Sequence, residues 1–80
     1  MLLSHLKTFA TVAQHRSFTR AAAALHLSQP AVTQHIAALE EQLGCRLFER
    51  RGRDVRLTTE GERLLTYHRR MQSNLAELFF

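Results

Sequence analysis

The feature that most constrains this fold is a very short break between two helical segments, at His26, Leu27 and Ser28. The alanines at 21–24, just before the break, favour a helix and have little side-chain bulk, so another helix can approach closely. After the break, Ser28 is a preferred N-cap and Pro30 falls in the first helical turn, where a missing N–H does no harm. Three residues allow only a tight turn. The pattern therefore predicts a helix-turn-helix unit.

Apolar residues at helical spacing extend this unit on both sides. A first helix is predicted to begin near Leu3 or Ser4 and to end in the polar run 14–17. Its apolar stripe consists of Leu2, Leu6, Phe9 and Ala13. The second helix runs from Phe18 or Thr19 to Leu25. The third ends near Leu43, ahead of Gly44, a residue type that often terminates helices. Its predicted buried stripe consists of Val32, Ile36, Leu39 and Leu43.

The pattern changes after Gly44. Two short runs compatible with β-strands, 47–48 and 55–57, are separated by a segment that contains Arg50-Arg51-Gly52-Arg53-Asp54. Glycine and aspartate between two such runs predict a β-hairpin, here with arginines at its tip. An isolated hairpin is marginally stable in water, so this one is expected to pack against the helices.

A fourth helix is predicted after the hairpin. Thr58 or Thr59 is suited to cap it, and Glu62 stands three residues after Thr59 as in a capping box. One face carries an apolar stripe, widened by Leu65 and Phe79. The stripe consists of Leu64, His68, Met71, Leu75 and Leu78. The ending Leu78-Phe79-Phe80 has no polar cap, which indicates a piece cut from a longer polypeptide.

The predicted fold class is therefore mainly α with a minor β component. Residues 1–58 are expected to form a winged helix-turn-helix with a two-stranded wing, and residues 59–80 a long linker and dimerisation helix. The apolar stripe of this helix has two possible partners, the chain's own first helix or a second copy. The first helix is too short to cover the whole stripe, so a homodimer is favoured.

The charge distribution indicates the class of partner. The chain has eleven Lys and Arg and seven Asp and Glu, a net charge of +4, yet residues 1–39 contain no carboxylate. A second basic cluster consists of Arg46, Arg50, Arg51, Arg53 and Arg56. Such a surface suits nucleic acid, while a merely solvated basic face is the alternative if charge is considered alone.

Other function classes find little support in the sequence. The five histidines show no His-x-x-x-His spacing, and there is no phosphate-binding glycine motif, so neither an enzyme nor a metal site is expected. The single cysteine, Cys45, forms no internal disulfide and suits a reducing compartment. No stretch has the length of apolar residues that a membrane span needs. The protein is expected to be cytoplasmic and to have no membrane partner.

The outer face of the third helix is suited to the major groove of DNA, which admits one α-helix. The predicted base contacts are made by Gln29, Pro30, Thr33 and Gln34. An amide side chain matches adenine, and a threonine offers a hydroxyl and a methyl group to a base pair. For the two glutamines, ordinary surface polarity is the alternative.

Other residues are assigned to the sugar-phosphate backbone. The predicted backbone contacts are Thr19, Arg20, Ser28, His35, Arg50 and Arg51. The first two open the second helix, where free N–H groups and the helix dipole favour an anion. A capping role for Ser28 and a packing role for His35 are the alternatives. Arg53, at the hairpin tip, is expected to enter the minor groove, where narrow A·T stretches concentrate negative potential.

These residues together carry a family resemblance. A resemblance to the N-terminal domain of LysR-type transcriptional regulators is carried by Phe18-Thr19-Arg20-Ala21-Ala22, Leu25 to Val32, Ile36, Leu39-Glu40, Leu43-Gly44, Leu47-Phe48-Glu49-Arg50 and Leu57-Thr58 with Gly61. The resemblance covers essentially the whole chain, and the combination of segments is highly specific. This chain departs from the common pattern at Gln34, where arginine is frequent, and conservatively at Thr33, where serine is frequent.

The resemblance implies more than the residues themselves do. Family members have a C-terminal domain that senses a small-molecule effector and that is absent from this fragment, in which no cofactor is expected. Their linker helices pair antiparallel to form dimers, and full-length proteins are often tetramers that bind an interrupted, A·T-rich dyad. The resemblance also places the positions that face the DNA groove at Gln29, Pro30, Thr33 and Gln34, and the arginine of the wing at Arg53. A winged-helix module that binds protein, and an architectural DNA binder without sequence preference, are the competing functions.

Overall fold

Four helices and one two-stranded hairpin follow the order expected from the sequence. The structure is a computed structural model that describes residues 3–79. Its elements are α1 (Leu3–His15), α2 (Phe18–Leu25), α3 (Gln29–Leu43), β1 (Phe48–Arg51), β2 (Asp54–Leu57) and α4 (Thr59–Phe79). The predicted class, a mainly α winged helix-turn-helix followed by a long helix, is confirmed.

The turn between α2 and α3 is built by caps at both of its ends. His26 closes α2 in the left-handed region, at φ 56°, and Leu27 N–H bonds the Ala22 carbonyl at 2.9 Å. Ser28 Oγ accepts a hydrogen bond from Ala31 N–H at 3.2 Å and so begins α3, as predicted. Ser17 caps α2 in the same way through Arg20 N–H, at 3.1 Å, a cap that was not expected from the sequence. The caps thus fix where α2 begins and ends and where α3 begins.

The core lies where α1, α2 and α3 meet the hairpin. Its fully buried centre is formed by Phe9, Val12, Ala21, Val32, Leu39 and Leu47. Phe48 joins the hairpin to this centre, with its ring 5.3 Å from that of Phe9 and 5.8 Å from that of Phe18. Small residues on α2 allow the three helices to approach closely, as their alanine content predicted.

One predicted stripe needs correction, and the described part of another is confirmed. In α3, Val32, Ile36 and Leu39 are buried, but Leu43 is 39% exposed because it is the last helical residue, beyond the reach of α1 and α2. In α1, Leu6 and Phe9 are buried and Ala13 is half-buried. Leu2, the other member of that stripe, lies outside the described residues.

The hairpin is tighter than the sequence suggested. The antiparallel register pairs Phe48 with Leu57 and Arg51 with Asp54, which leaves only Gly52 and Arg53 in the loop. Gly52 has φ 60°, and a positive φ at the first central residue is characteristic of type II′ hairpin turns. Arg50 and Arg51 therefore belong to strand β1 and not to the tip.

The start of α4 fastens the hairpin to the helices. Thr58 N–H bonds the Leu47 carbonyl at 3.0 Å, and Thr58 Oγ1 donates to the Arg46 carbonyl at 2.6 Å and accepts from Gly61 N–H at 3.0 Å. Thr58 is therefore the cap. The expected capping box between Thr59 and Glu62 is wrong, because the third helical position is occupied by Gly61.

The stripe on α4 is partly covered as far as Met71 and exposed beyond it. Leu64, His68 and Met71 are half-buried, and Leu64 packs against the core together with Leu65. Farther along the helix, Leu75 is 56% exposed and Leu78 is 72% exposed. The remainder of the chain's apolar ending, Phe80, is outside the described residues.

Candidate nucleic-acid interface

The N-terminal half of α3 has an exposed face made of uncharged side chains. Gln29, Pro30, Thr33 and Gln34 are all exposed, while Val32 and Ile36 on the opposite side are buried in the core. The structure thus brings the four predicted base-contacting residues together on one face. Because their helix is held by its buried side, these residues project from a rigid support.

A second group of polar residues lies beside the start of α3. Thr19, near the start of α2, points its hydroxyl at the Gln29 side-chain oxygen, 3.4 Å away. Ser28 Oγ accepts from Ala31 N–H, which leaves its hydroxyl proton free to donate to another group. Arg20 has an exposed side chain, although its backbone N–H is already bonded to Ser17. The beginnings of α2 and α3 therefore lie close together at one edge of the surface.

A groove of about 360 Å³ separates α3 from strand β1. Its lining residues are Phe18, Thr33, Ile36, Ala37, Glu40, Arg46, Phe48 and Arg50. The Arg50 guanidinium lies 3.9 Å from the centre of the Phe18 ring. The groove thus joins a predicted base-contacting residue, Thr33, to a predicted backbone-contacting residue, Arg50.

The arginines of the hairpin have different surroundings. Arg51 is exposed at the end of β1, and Arg53 is exposed in the two-residue loop. Arg56, by contrast, donates from Nε to Asp54 Oδ2 at 2.6 Å, and Arg16 donates to Asp54 Oδ1 at 3.1 Å. Arg51 and Arg53 therefore have no ion pair with a carboxylate among the described residues 3–79.

Asp54 is the acid closest in sequence to the predicted minor-groove residue, and its charge is balanced. The hydrogen bond from Arg56 lowers the pKa of Asp54, and the charges of Arg16 and Arg56 act in the same direction against desolvation. Asp54 in turn raises the pKa of Arg56. With two guanidinium groups around one carboxylate, the hairpin keeps its positive character.

His35 lies apart from the other predicted contact residues. Its ring is half-buried, 4.6 Å from the ring of His5, and its Nδ1 is 2.8 Å from Thr8 Oγ1. Thr8 Oγ1 also lies 3.0 Å from the Ser4 carbonyl oxygen, so this hydroxyl links His35 to the backbone of α1. The structure places this side chain against α1, in line with the packing alternative.

Two contributors to this surface were missed by sequence reasoning. Arg46 lines the groove beside Arg50, and only its membership of the basic cluster signalled it. Arg16 reaches the hairpin from the end of α1, across 38 positions of sequence. No local pattern relates two residues so far apart, so this contact is visible only in the folded chain.

Other kinds of site find no support in the part of the chain that is described. Residues 3–79 contain no group of three or more side chains able to hold a metal ion. Within the same range, no helix has the length and hydropathy of a membrane span.

Comparison with known proteins decides the family. The sequence profile described as "Bacterial regulatory helix-turn-helix protein, lysR family" matches residues 3–62, well over half of the chain. The chain belongs to this LysR family. Its sequence is 46% identical over 76 residues to a "RuBisCO operon transcriptional regulator" of Allochromatium vinosum, covering 95% of this chain and 25% of that protein. It is also 46% identical over 77 residues to the "HTH-type transcriptional regulator CitR" of Bacillus subtilis, covering 91% and 26% respectively.

Solved LysR-family structures share the whole architecture. The BenM DNA-binding domain, solved in complex with catB site 1 DNA, superposes with a TM-score of 0.89 at 40% identity, covering 98% of this chain and 87% of that one. The CbnR domain, also solved with DNA, gives 0.87 at 38% identity, covering 96% and 88%. This LysR-family chain spans about a quarter of the length of the curated relatives that it matches.

Proposed function

We propose that this chain is the sequence-specific, double-stranded DNA-binding domain of a bacterial transcription regulator, not an enzyme. The observation that carries the proposal is the exposed face of α3, formed by Gln29, Pro30, Thr33 and Gln34 on a helix whose other side is buried. A helix of this kind fits the major groove of DNA and offers amides and a hydroxyl to base edges. The BenM and CbnR domains, which share this fold, were solved with DNA.

The arginines and the helix starts supply the contacts to the sugar-phosphate backbone. Thr19, Arg20 and Ser28 serve one side of α3, and Arg50 and Arg51 serve the other, while Arg53 enters the minor groove from the hairpin loop. The exposure of each of these side chains supports its assignment. His35 is proposed as a further backbone contact, and packing against α1, where its Nδ1 contacts Thr8, is the alternative role.

The chain acts as a homodimer through α4. Residues 1–58 form the DNA-binding unit, and residues 59–80 the linker and dimerisation helix. The exposure of Leu75 and Leu78, at the end of an apolar stripe shared with Leu64, His68 and Met71, supports this assignment. Full-length proteins of this kind are expected to form tetramers, to bind a small-molecule effector outside this chain, and to reside on the nucleoid.

The experiment that tests the proposal is selection of duplexes from a randomised pool at moderate salt. Enrichment of a dyad, with half-site centres about one helical turn or a multiple apart, is the expected result. Binding without enrichment would instead indicate an architectural protein, whose affinity follows a salt slope of about −0.9 per phosphate neutralised. Failure to bind any duplex would overturn the proposal.

A pair of double variants separates DNA binding from a protein-binding role. Gln29→Ala with Arg53→Ala removes one predicted reader from each groove and should weaken binding to the selected site strongly. Gln14→Ala with Arg69→Ala removes the same groups from exposed positions on α1 and α4, so it controls for the lost charge. Equal affinities for the two double variants would favour a winged-helix module that recognises protein.

A further inference from the structure

We infer that Phe18 is a positioning residue for DNA binding, because its ring holds the Arg50 guanidinium in place at the groove between α3 and the hairpin. The inference rests on the function proposed above and identifies what orients one of its backbone contacts. The ring-to-guanidinium distance is 3.9 Å, within the range of an attractive cation–π contact.

Phe18 is well suited to support another side chain. It is the first residue of α2, directly after the Ser17 cap, and it is 6% exposed. Its ring meets that of Phe48 edge to face, with centres 5.8 Å apart, and Phe48 contacts Phe9 in turn. Because this aromatic cluster belongs to the rigid core, the ring beneath Arg50 has little freedom to move.

The contact with Phe18 leaves Arg50 able to bind an anion. A guanidinium held over a ring keeps the N–H groups that point away from the ring free for a phosphate. Within residues 3–79, the ion pairs are those of Asp54 with Arg16 and Arg56, so the carboxylates there do not neutralise Arg50. Glu40, the acid that lines the same groove, accepts from Leu47 N–H at 2.7 Å.

The position of the groove connects this arginine to base reading. Thr33 and Ala37, on the exposed face of α3, line the same groove as Phe18 and Arg50. A helix that enters the major groove leaves the phosphates of one strand along its edge, and contacts to those phosphates fix the register of the helix. An arginine held beforehand in that place loses less conformational freedom when it binds.

The test is a double-mutant cycle on DNA affinity. Phe18→Leu should weaken binding to the selected duplex about two- to fivefold, the range expected for a partly exposed cation–π contact. The loss should be the same on a scrambled duplex, because phosphate contacts carry no sequence information. In an Arg50→Ala background, Phe18→Leu should cause no further loss, since the group that it positions is gone.

Phe9→Leu is the matched control. It removes another buried aromatic ring that also contacts Phe48, so it perturbs the same core without touching Arg50. It should lower the unfolding temperature as Phe18→Leu does, yet leave the affinity of the folded protein unchanged. Both variants are compared well below their unfolding temperatures, so that unfolded protein does not enter the comparison.

The free protein provides a readout that needs no DNA. The ring current of Phe18 should shift the Arg50 side-chain NMR resonances upfield, and this shift should vanish in Phe18→Leu and persist in Phe9→Leu. Equal affinity losses for the two leucine variants, or a Phe18→Leu loss that persists without Arg50, would overturn the inference while the proposed function stands. Absence of binding by the unsubstituted chain would overturn the proposed function and this role together, and the NMR shift would then report a structural contact only.

Discussion

Asp54, the first residue of β2, accepts a hydrogen bond at 3.1 Å from Arg16, which stands just beyond the end of α1. Arg16 has φ 52°, in the left-handed region that disfavours residues with a side chain. Its backbone N–H bonds the Val12 carbonyl at 2.7 Å and so closes α1. Arg16 therefore both ends α1 and bonds the hairpin. Its partner Asp54 directly follows Arg53 in the sequence.

Protonation of Asp54 should weaken the folded state. The bond from Arg56 lowers the pKa of Asp54 from its usual 3.8, so its contribution to stability is present above that value and is lost as the pH falls through the lowered pKa. Asp54→Asn should accordingly reduce the unfolding temperature at neutral pH and have little effect in strong acid. Thermal unfolding from pH 7 down to the acid limit measures the difference. Glu41→Gln, at an exposed site on α3, is the control, and a difference for Asp54→Asn that does not shrink in acid would contradict the assignment.

Glu40 should contribute to stability through the segment that leads into the hairpin. Its carboxylate accepts from Leu47 N–H at 2.7 Å, and the Leu47 side chain is fully buried. Hydrogen bonds to a charged group contribute about 1.5–3 kcal/mol, so Glu40→Ala should lower the free energy of unfolding by that amount. Glu40→Gln keeps an acceptor oxygen and should cost less.

Urea unfolding measures both Glu40 variants. Glu41→Ala is the matched control, because Glu41 is the neighbouring acid in the same helical turn and is exposed. It should change the free energy of unfolding by no more than about 0.5 kcal/mol, the usual range for surface substitutions. A loss for Glu41→Ala as large as that for Glu40→Ala would argue against the specific bond to Leu47.

Gly61 is required for the close approach of α4 to the hairpin base. A Cβ atom there would collide with the Leu47 carbonyl oxygen and lie 2.9 Å from Leu57 Cδ2. In an unobstructed helix, Gly→Ala is favourable by about 1 kcal/mol. Here the contact with backbone should dominate, and Gly61→Ala should destabilise the protein by about 1–3 kcal/mol, the usual cost of overpacking. Gln72→Ala, exposed on the same helix, is the control, and a stabilised Gly61→Ala protein would show that α4 adjusts freely.

The helices and their caps were predictable because their signals are local. Ser28, Pro30 and Gly44 mark the limits of α3 within the sequence, and the structure has the helix at Gln29–Leu43. The Ser17 cap has an equally local signal, a serine just before a helix, which was overlooked. Leu43 was misjudged because helical spacing shows which side of a helix is apolar but not how far along its length the neighbours extend.

The sequence predicted which residues share the exposed side of α3, but it did not predict the side-chain contacts between distant parts of the chain. Spacing alone brought Gln29, Thr33 and Gln34 to one side of α3. The contacts of Arg50 with Phe18 and of Arg16 with Asp54 join residues 32 and 38 positions apart, and they depend on how the hairpin packs against the helices. The strand assignment of Arg50 likewise followed from hairpin register, which the turn fixes and which a run of arginines does not reveal.

The proposed base contacts predict a difference between two exposed residues. Gln29→Ala should reduce the difference in binding free energy between the preferred base pair and the other base pairs at one position by about 1–3 kcal/mol. Arg51→Ala, at a predicted backbone contact, should weaken binding similarly on every sequence and reduce the salt slope by about 1. Affinities for the selected duplex and its single-base variants, measured at several salt concentrations, separate the two effects. A uniform loss for Gln29→Ala would remove it from the base-reading set.

The apolar ending of α4 predicts the oligomeric state. Leu75 and Leu78 are more than half exposed in the single chain, so replacing both with glutamate should leave the fold of the monomer intact. If a second copy covers them, the two charges would be buried without partners, at a cost that exceeds the gain from association. Sedimentation at micromolar concentrations should then show a dimer for the unsubstituted chain and a monomer for Leu75→Glu with Leu78→Glu.

The control for that variant is Thr66→Glu with Ser73→Glu, which adds the same charge to exposed positions on the opposite side of α4 from the stripe and should remain dimeric. Affinity for the full dyad should fall in the leucine variant, because two half-sites are then bound independently, while affinity for a single half-site should stay unchanged. A leucine variant that sediments as a dimer would mean that the stripe is not the interface. An unsubstituted chain that sediments as a monomer would contradict the predicted dimer, and a dyad preference of such a chain would mean that two copies pair only on the DNA.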